Sequence, residues 1–525
     1  MNPRFRAVFS GSVLLVLSAC ASLPADESPA TFTNDMSTAQ AVLSAGYTSI
    51  IDKYIDQVPL RTVTVESLRG LAAIDPALTI EQSNDEIIIR RHNREIAADA
   101  LPASDDTAEW AALAAQLTRE ASDYSPDLRH ANSEAVYQAL FDGALAELDV
   151  YSRYAGAEEA DRNRANRDGF GGVGVRFRII DGHPVVTDLV AGSPADESGI
   201  AVGDEIVSIG GHPVVGLSVD EIVAKLRGAV RSKVQVAVRR TADEFVTFNL
   251  ERTHIVPPTV SATNHDGVVH IRVKSFNQGT AQTLANTLAE QVNNAAVAGV
   301  VLDLRGNPGG LLRQSIEVAD AFLSEGDILD TFGRHPDSIQ HYEAAGRDFA
   351  GGLPMVVLID GRSASAAEIV AAALQDTHRA VIIGTASYGK GTVQTVVRLP
   401  NNGEITLTWS RFIAPSGYAL HGLGVYPVVC MTDIAGSDRD NILAALDRQP
   451  ETTKTLSLWR STDANSLEAR RELRSQCPPA RRAKDADLEI AAALINDASL
   501  YDRALQIATL ADRNAAAAAV PETAD

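Results

Sequence analysis

The stretch Met355-Val-Val-Leu-Ile-Asp-Gly-Arg-Ser-Ala-Ser-Ala-Ala-Glu-Ile369, taken up again at Ala380-Val-Ile-Ile-Gly-Thr-Ala-Ser-Tyr-Gly-Lys-Gly-Thr-Val-Gln394, decides how this chain folds. Each half opens on a short apolar run of the kind that forms a buried strand. The first run passes through Asp360-Gly361 and small hydroxyl residues into an alanine-rich helical pattern. The second passes into a loop in which Lys390 stands between two glycines. The first amides of a helix are unpaired and can stabilise negative charge, so such a strand-to-helix turn is a good place to present a nucleophile.

Working outward, the same alternation continues. Val268 to Val273 and Gly299 to Leu304 predict strands, and Thr280 to Asn293 and Leu311 to Leu323 predict helices. Short apolar strands alternating with longer helices indicate an α/β core. Thr392 to Leu399 and Glu404 to Phe412 read as a strand pair around Asn401-Asn-Gly403. Beyond Asp433 the pattern is helical and charged, over Asp440 to Asp447, Ser466 to Arg474 and Ala486 to Ile495, before an alanine-rich tail to which no function is assigned.

Upstream, Gly171-Gly-Val-Gly-Val175 leads into alternating Val175, Phe177 and Ile179, then a turn at Asp181-Gly182 and a returning strand from Pro184 to Leu189. Ser193-Pro-Ala-Asp-Glu-Ser-Gly-Ile200, Val202-Gly-Asp-Glu-Ile-Val-Ser-Ile209 and a capped helix from Ser218 to Leu226 follow. This order of motifs, over about Phe170 to Ile255, resembles a PDZ domain. The resemblance implies that a peptide adds as a strand beside Val175 to Ile179. Backbone amides around Gly172, Val173 and Gly174 would hold its terminal carboxylate. Phe177, Ile222, Val223 and Leu226 are the expected lining.

Between Ala39 and Leu148 helical periodicity dominates, with a short strand at Glu86 to Arg91 and two helices expected to open on Ser104 and Ser133 as caps. The expected role of this region is support or self-association. The first twenty residues stand apart. Arg4 and Arg6 precede an apolar run, Val8 to Leu17, too short for a comfortable span, and it ends in Leu17-Ser-Ala-Cys20. This resembles a bacterial lipoprotein signal, which implies lipidation at Cys20, an envelope location on the periplasmic side, and anchoring to the outer membrane since Ala21 follows.

The 525 residues provide for several domains, and the formal charge of −22 argues against a nucleic-acid partner held through phosphates. Cys430 and Cys477 are a candidate disulfide if the chain is exported. No cysteine and histidine cluster has metal spacing, so neither metal nor cofactor is expected.

Taken singly, the chemical candidates have ordinary readings. Ser365-Ala-Ala-Glu368 fits a capping box, with Ser363 as a second cap candidate. Gly384-Thr-Ala-Ser-Tyr-Gly-Lys390 nearly spells a phosphate loop, but Gly391 stands where a hydroxyl is required and the β-branched run after it is no helix. Together they suggest more. A buried lysine can deprotonate a serine, and Gln394 could hold the lysine amine. Ala366 and Gly309 or Gly310 could supply oxyanion amides.

The strings Leu302-Asp-Leu-Arg-Gly-Asn-Pro-Gly-Gly-Leu311, Ser363-Ala-Ser-Ala-Ala-Glu-Ile369, Tyr388-Gly-Lys-Gly-Thr-Val-Gln394 and Pro415-Ser-Gly-Tyr-Ala-Leu-His-Gly422 closely resemble the carboxyl-terminal processing, or tail-specific, peptidases. The resemblance spans about Asp149 to Pro427. It implies a multidomain α/β protein with a core related to the ClpP and crotonase folds, an inserted PDZ domain, and helical regions at both ends. It implies serine endopeptidase activity through Ser365 as nucleophile, Lys390 as general base and Gln394 as the lysine-orienting residue, with Ala366, Gly309 and Gly310 at the oxyanion position. Implied partners are unfolded or C-terminally exposed protein substrates, an activator or adaptor, and a second copy of the chain. Ala367 replaces a usual serine, and Pro427-Val428 replaces a usual Pro-Asp.

The expected division is a signal at 1–20, a tether at 21–35, a mainly helical region at 36–168, the PDZ domain at 169–256, the peptidase core at 257–432 and a helical end at 433–525. The competing reading is a catalytically silent lipoprotein scaffold that holds protein tails on its PDZ domain.

Overall fold

The computed structural model describes residue 32 and residues 35–518, apart from 84, 295, 433, 435–438, 483 and 484. The expected signal, Cys20 and nearly all of the tether therefore lie outside the described residues. Four regions follow one another along the chain.

The first contains α1 (Met36–Lys53), α2 (Leu60–Arg69), β1 (Leu78–Gln82), β2 (Glu86–Arg91), β3 (Arg94–Ala100), α3 (Thr107–Ser122), α4 (Pro126–His130) and α5 (Ser133–Ala146). Strands β1, β2 and β3 form an antiparallel sheet, of which the sequence pattern reveals only β2. The caps also differ from expectation. Asp106, not Ser104, accepts from Ala108 N–H at the start of α3, and Asn132, not Ser133, accepts from Ala135 N–H at the start of α5. Asp and Asn are as good acceptors as Ser at this position, and each lies where the chain is still extended.

Next, β4 (Arg153–Ala155) and α6 (Ala157–Asp168) lead into the second region. It comprises β5 (Phe170–Gly172), β6 (Val175–Ile180), β7 (His183–Leu189), α7 (Pro194–Ser198), β8 (Glu205–Ile209), β9 (His212–Pro213), α8 (Val219–Leu226), β10 (Lys233–Thr241), β11 (Glu244–Glu251) and β12 (Thr253–Ile255). Its sheet runs β11-β10-β8-β7-β6, so β6 is an edge strand. The β5–β12 pair closes the base of this unit where the chain enters and leaves it.

The third region holds β13 (Val260–His265), β14 (Val268–Val273), α9 (Thr280–Asn294), β15 (Gly299–Asp303), α10 (Leu312–Asp320), β16 (Asp327–Phe332), β17 (Gln340–Glu343), β18 (Met355–Ile359), α11 (Ala366–Asp376), β19 (Val381–Gly384), β20 (Thr392–Arg398), β21 (Glu404–Ile413) and β22 (Val429–Cys430). One sheet runs β13-β14-β15-β18-β19-β22, parallel from β14 onward, and a second, antiparallel one runs β17-β16-β21-β20 with β4 beside β21.

The fourth region, α12 (Arg439–Asp447), α13 (Gln449–Ser461), α14 (Leu467–Ser475), α15 (Asp485–Asn496) and α16 (Ala498–Ala518), accounts for the C-terminal pattern. Successive residues of a strand face opposite ways. Val357 and Ile359 accordingly pack with α9, α10 and α11, whereas Val356 and Leu358 pack with α12, α15 and α16. Strands covered on both faces read as unbroken apolar runs, which is why β15 and β18 are wholly buried. Cys430 and Cys477 form a disulfide with Cα atoms 5.9 Å apart, joining β22 to the segment after α14. The first region packs its core on Ile405, Leu407 and Leu399 of the antiparallel sheet, so the strands after Lys390 are supported from behind.

Candidate active site

Strand β18 is followed by Asp360, a wholly buried carboxylate that shapes the turn. Its oxygens accept from the N–H groups of Gly306 at 2.9 Å, Arg362 at 2.9 Å, Ser363 at 3.1 Å and Arg482 at 3.0 Å. Ser363 is also buried and donates its hydroxyl to the Leu304 carbonyl at 2.8 Å, which makes it a structural residue of this turn. Ser365 comes next, at the start of α11, with φ 55° and ψ −116°. A serine whose only work is capping sits in extended backbone. A left-handed φ on a non-glycine residue costs energy and is held here by the surrounding hydrogen bonds.

Glu368 is the largest of those supports. It stands in the expected capping-box position, and its carboxylate accepts from Ser365 N–H at 2.8 Å. The same carboxylate accepts from the Ser387 hydroxyl, from Gly389 N–H at 2.6 Å and from Lys390 N–H at 2.9 Å. Burial pushes its carboxyl upward, and the four hydrogen bonds oppose that shift. One side chain thereby fixes the serine turn and the lysine turn to each other. The sequence shows only its capping role, because the other three donors arrive through the fold.

The lysine turn is built from two glycines for two reasons. Gly389 has φ 92°, and at Gly391 a Cβ would lie 2.0 Å from the His421 backbone nitrogen. The Lys390 side chain is half-buried, with its amine 5.0 Å above the Tyr151 ring centre. Burial disfavours its ammonium and Arg153 repels it, so the amine lies below the ordinary lysine range, with Glu368 and Asp149 pulling the other way.

Ser365, Ala366, Lys390, Gln394, Gly309 and Gly310 all line one cavity of about 370 Å³. The fold thus brings together every residue that sequence reading placed in the chemistry. Three details depart from expectation. First, Gly309 N–H is already engaged by the Asn307 side-chain oxygen at 2.8 Å, whereas Gly310 and Ala366 N–H have no recorded partner among the described residues. The free amide pair is therefore Gly310 with Ala366. Second, Gln394 does not hold Lys390. Its amide nitrogen donates to the Thr392 hydroxyl at 2.9 Å and to the Thr408 hydroxyl at 3.2 Å, the latter directly across the β20–β21 ladder. Third, no hydrogen bond joins Ser365 to Lys390 among the described residues. Such contacts often tighten only when substrate is present.

Arg153, Arg167 and Glu404 also line the cavity. Glu404 is nearly buried and pairs with Arg164 and Arg167 of α6, each at 3.2 Å. One wall of the cavity is thus made by the helix that leads directly into β5.

In the second region, Gly172, Val173, Gly174, Val175, Phe177 and Leu226 line a smaller cavity of about 120 Å³, with Val223, beside β6. Ile222 does not. It is 1% exposed and packs in the core of this unit. Arg227 lies over the Phe170 ring at 3.9 Å at the same cavity. Nothing in the sequence pattern marks that pair.

A model of peptidase family S41 matches residues 267–430, and a PDZ-domain model matches residues 185–240. The carboxy-terminal-processing protease of Bartonella bacilliformis is 35% identical over 301 residues, 56% of this chain and 69% of that one. The carboxy-terminal processing protease CtpA of Bacillus subtilis is 31% identical over 298 residues, 55% of this chain and 63% of that one. A solved photosystem II D1 C-terminal processing protease aligns over 70% of this chain and 92% of its own, with 25% identity and a TM-score of 0.35.

Proposed function

The chain belongs to peptidase family S41, the carboxy-terminal processing proteases, and is a serine peptidase with a PDZ domain; from this premise we propose that it cleaves exported proteins whose C-terminal segments it first captures on β6. The observation that carries the reading is the single cavity lined by Ser365, Lys390, Gln394 and the free amides of Gly310 and Ala366. In the proposed mechanism, neutral Lys390 removes the Ser365 hydroxyl proton as the oxygen attacks the peptide carbonyl. The developing oxyanion is held by Gly310 and Ala366 N–H. Lys390 returns the proton to the leaving amine, then activates the water that hydrolyses the acyl-enzyme. Gln394 orients the amine once its own amide has released a threonine.

Capture is a separate step. An edge strand with a free hydrogen-bonding side accepts a peptide as an added strand, and the Gly172–Gly174 loop takes its carboxylate. Movement of this unit would reach the cavity through α6, so tail binding can gate the chemistry. The lipobox-like stretch supports lipidation at Cys20 and a place on the periplasmic side of the envelope.

The test is cleavage of a denatured, fluorescently labelled protein by the purified chain. Ser365→Ala should abolish it with an unchanged circular dichroism spectrum. Cleavage retained by that variant would sink the assignment. For the anchor, Cys20→Ala should remove incorporation of labelled palmitate in cells.

A further inference from the structure

Helix α14 carries three arginines, Arg470, Arg471 and Arg474, that line one pocket of about 330 Å³ together with His421, Gly422, Ala464 and Leu467. No carboxylate lines it. None of the three arginines makes an ion pair among the described residues, in a chain whose formal charge is −22. Arg470 is only 2% exposed. One of its guanidinium nitrogens donates to the Ala419 carbonyl, but Nε and Nη1 are buried with no hydrogen-bond partner. An uncompensated buried guanidinium is costly, and proteins retain one where something completes its hydrogen bonds. Planar guanidinium groups match tetrahedral oxyanions with paired N–H donors better than any other side chain does.

We propose that this pocket binds a small oxyanion of the phosphate class, held by Arg470, Arg471 and Arg474 with His421 at its rim. The occupant is either free phosphate or a phosphate monoester. The arginines, with Ala464 and Leu467, lie beyond the residues matched by the family model, while His421 and Gly422 lie within them, and the site stands independently of the peptidase reading. It is nevertheless wired to the lysine turn. Arg474 donates to the carbonyls of Ser387 at 3.1 Å and Tyr388 at 3.2 Å, and Gly422 N–H donates to the Gly389 carbonyl at 2.8 Å. A bound oxyanion would tie α14 to the backbone that leads into Lys390.

The experiment is isothermal titration of the full chain with inorganic phosphate in one arm and glycerol 3-phosphate in the other, in chloride buffer. Saturable binding in at least one arm is expected, weakened at least tenfold by Arg470→Gln and at least threefold by Arg471→Ala. Arg471 is exposed and holds no backbone group, so its variant decides the matter if Arg470→Gln fails to fold by circular dichroism. The arm with the tighter binding identifies the occupant. No saturable binding in either arm, or affinity unchanged in Arg471→Ala, overturns the proposal.

Discussion

The cavity at Ser365 and the groove along β6 are both proposed to receive a peptide backbone, yet they are built in opposite ways. Around Ser365 the polar atoms are fixed by wholly buried carboxylates: Asp360 gathers amides from three segments, and Glu368 gathers donors from two. Along β6 one side of the backbone is open, and Ile179 and Ile180, on opposite faces at its end, are both exposed. Chemistry needs donors that do not reorganise as charge develops, whereas capture needs a strand edge that any sequence can join. The two tasks are divided between a rigid floor and an open rim, connected by α6.

The strongest way to break this contrast is at the lysine. Lys390→Ala should lower kcat by about 10²-fold to 10⁴-fold or more, the range for losing a general base, with binding of a tail peptide unchanged. A kcat within tenfold of the parent would remove the lysine from the chemistry. Next comes the tie between the two turns. Glu368→Gln keeps the shape but turns one acceptor oxygen into a donor facing N–H groups. It should cost about 2–4 kcal/mol in urea unfolding and at least tenfold in kcat. Unchanged stability would mean that the floor is held elsewhere.

Titration sharpens the same point. Burial and Arg153 hold the Lys390 amine below the ordinary lysine range, so its neutral fraction, and with it kcat/KM, should rise with pH there. Arg153→Gln removes a repelling cation, raises that pKa, and should move the rising limb to higher pH. A limb that stays in place would assign it to another group. The smallest effect belongs to the rim. Val223→Lys in the β6 groove should raise KM for a substrate with a free apolar tail about tenfold, roughly 1.4 kcal/mol, with kcat unchanged. An equal loss in kcat would show that capture and chemistry are not separable.

What could be read without coordinates follows from the same division. The buried parallel strands announce themselves as unbroken apolar runs, and the β20–β21 pair by its Asn401-Asn-Gly403 turn. The three candidate catalytic side chains stand close to identifiable turns. Strand β3 escapes notice because it carries charged and alanine residues with weak strand preference, and β1 because it is short and only Leu78 and Ile80 face the core. Hairpin β16–β17 escapes because β17 is largely exposed and polar. Glu368 was legible as a cap but not as a bridge, since Ser387, Gly389 and Lys390 meet it only after β19 has paired with β18. The engagement of Gly309 by Asn307 and of Gln394 by Thr408 is likewise a product of tertiary contact.

The two-faced covering of the parallel sheet bears on the timing of synthesis. Val356, Leu358, Val381 and Ile383 acquire much of their outer cover from Leu494, Tyr501, Ala504 and Ile507, which lie more than a hundred positions later in the chain. A ribosome releases chain from the N-terminus onward, so Ser365 and Lys390 are already made while that face of their sheet is still bare. The nucleophile therefore exists chemically well before it exists structurally. A growing chain carries the parts of a peptidase without yet being one.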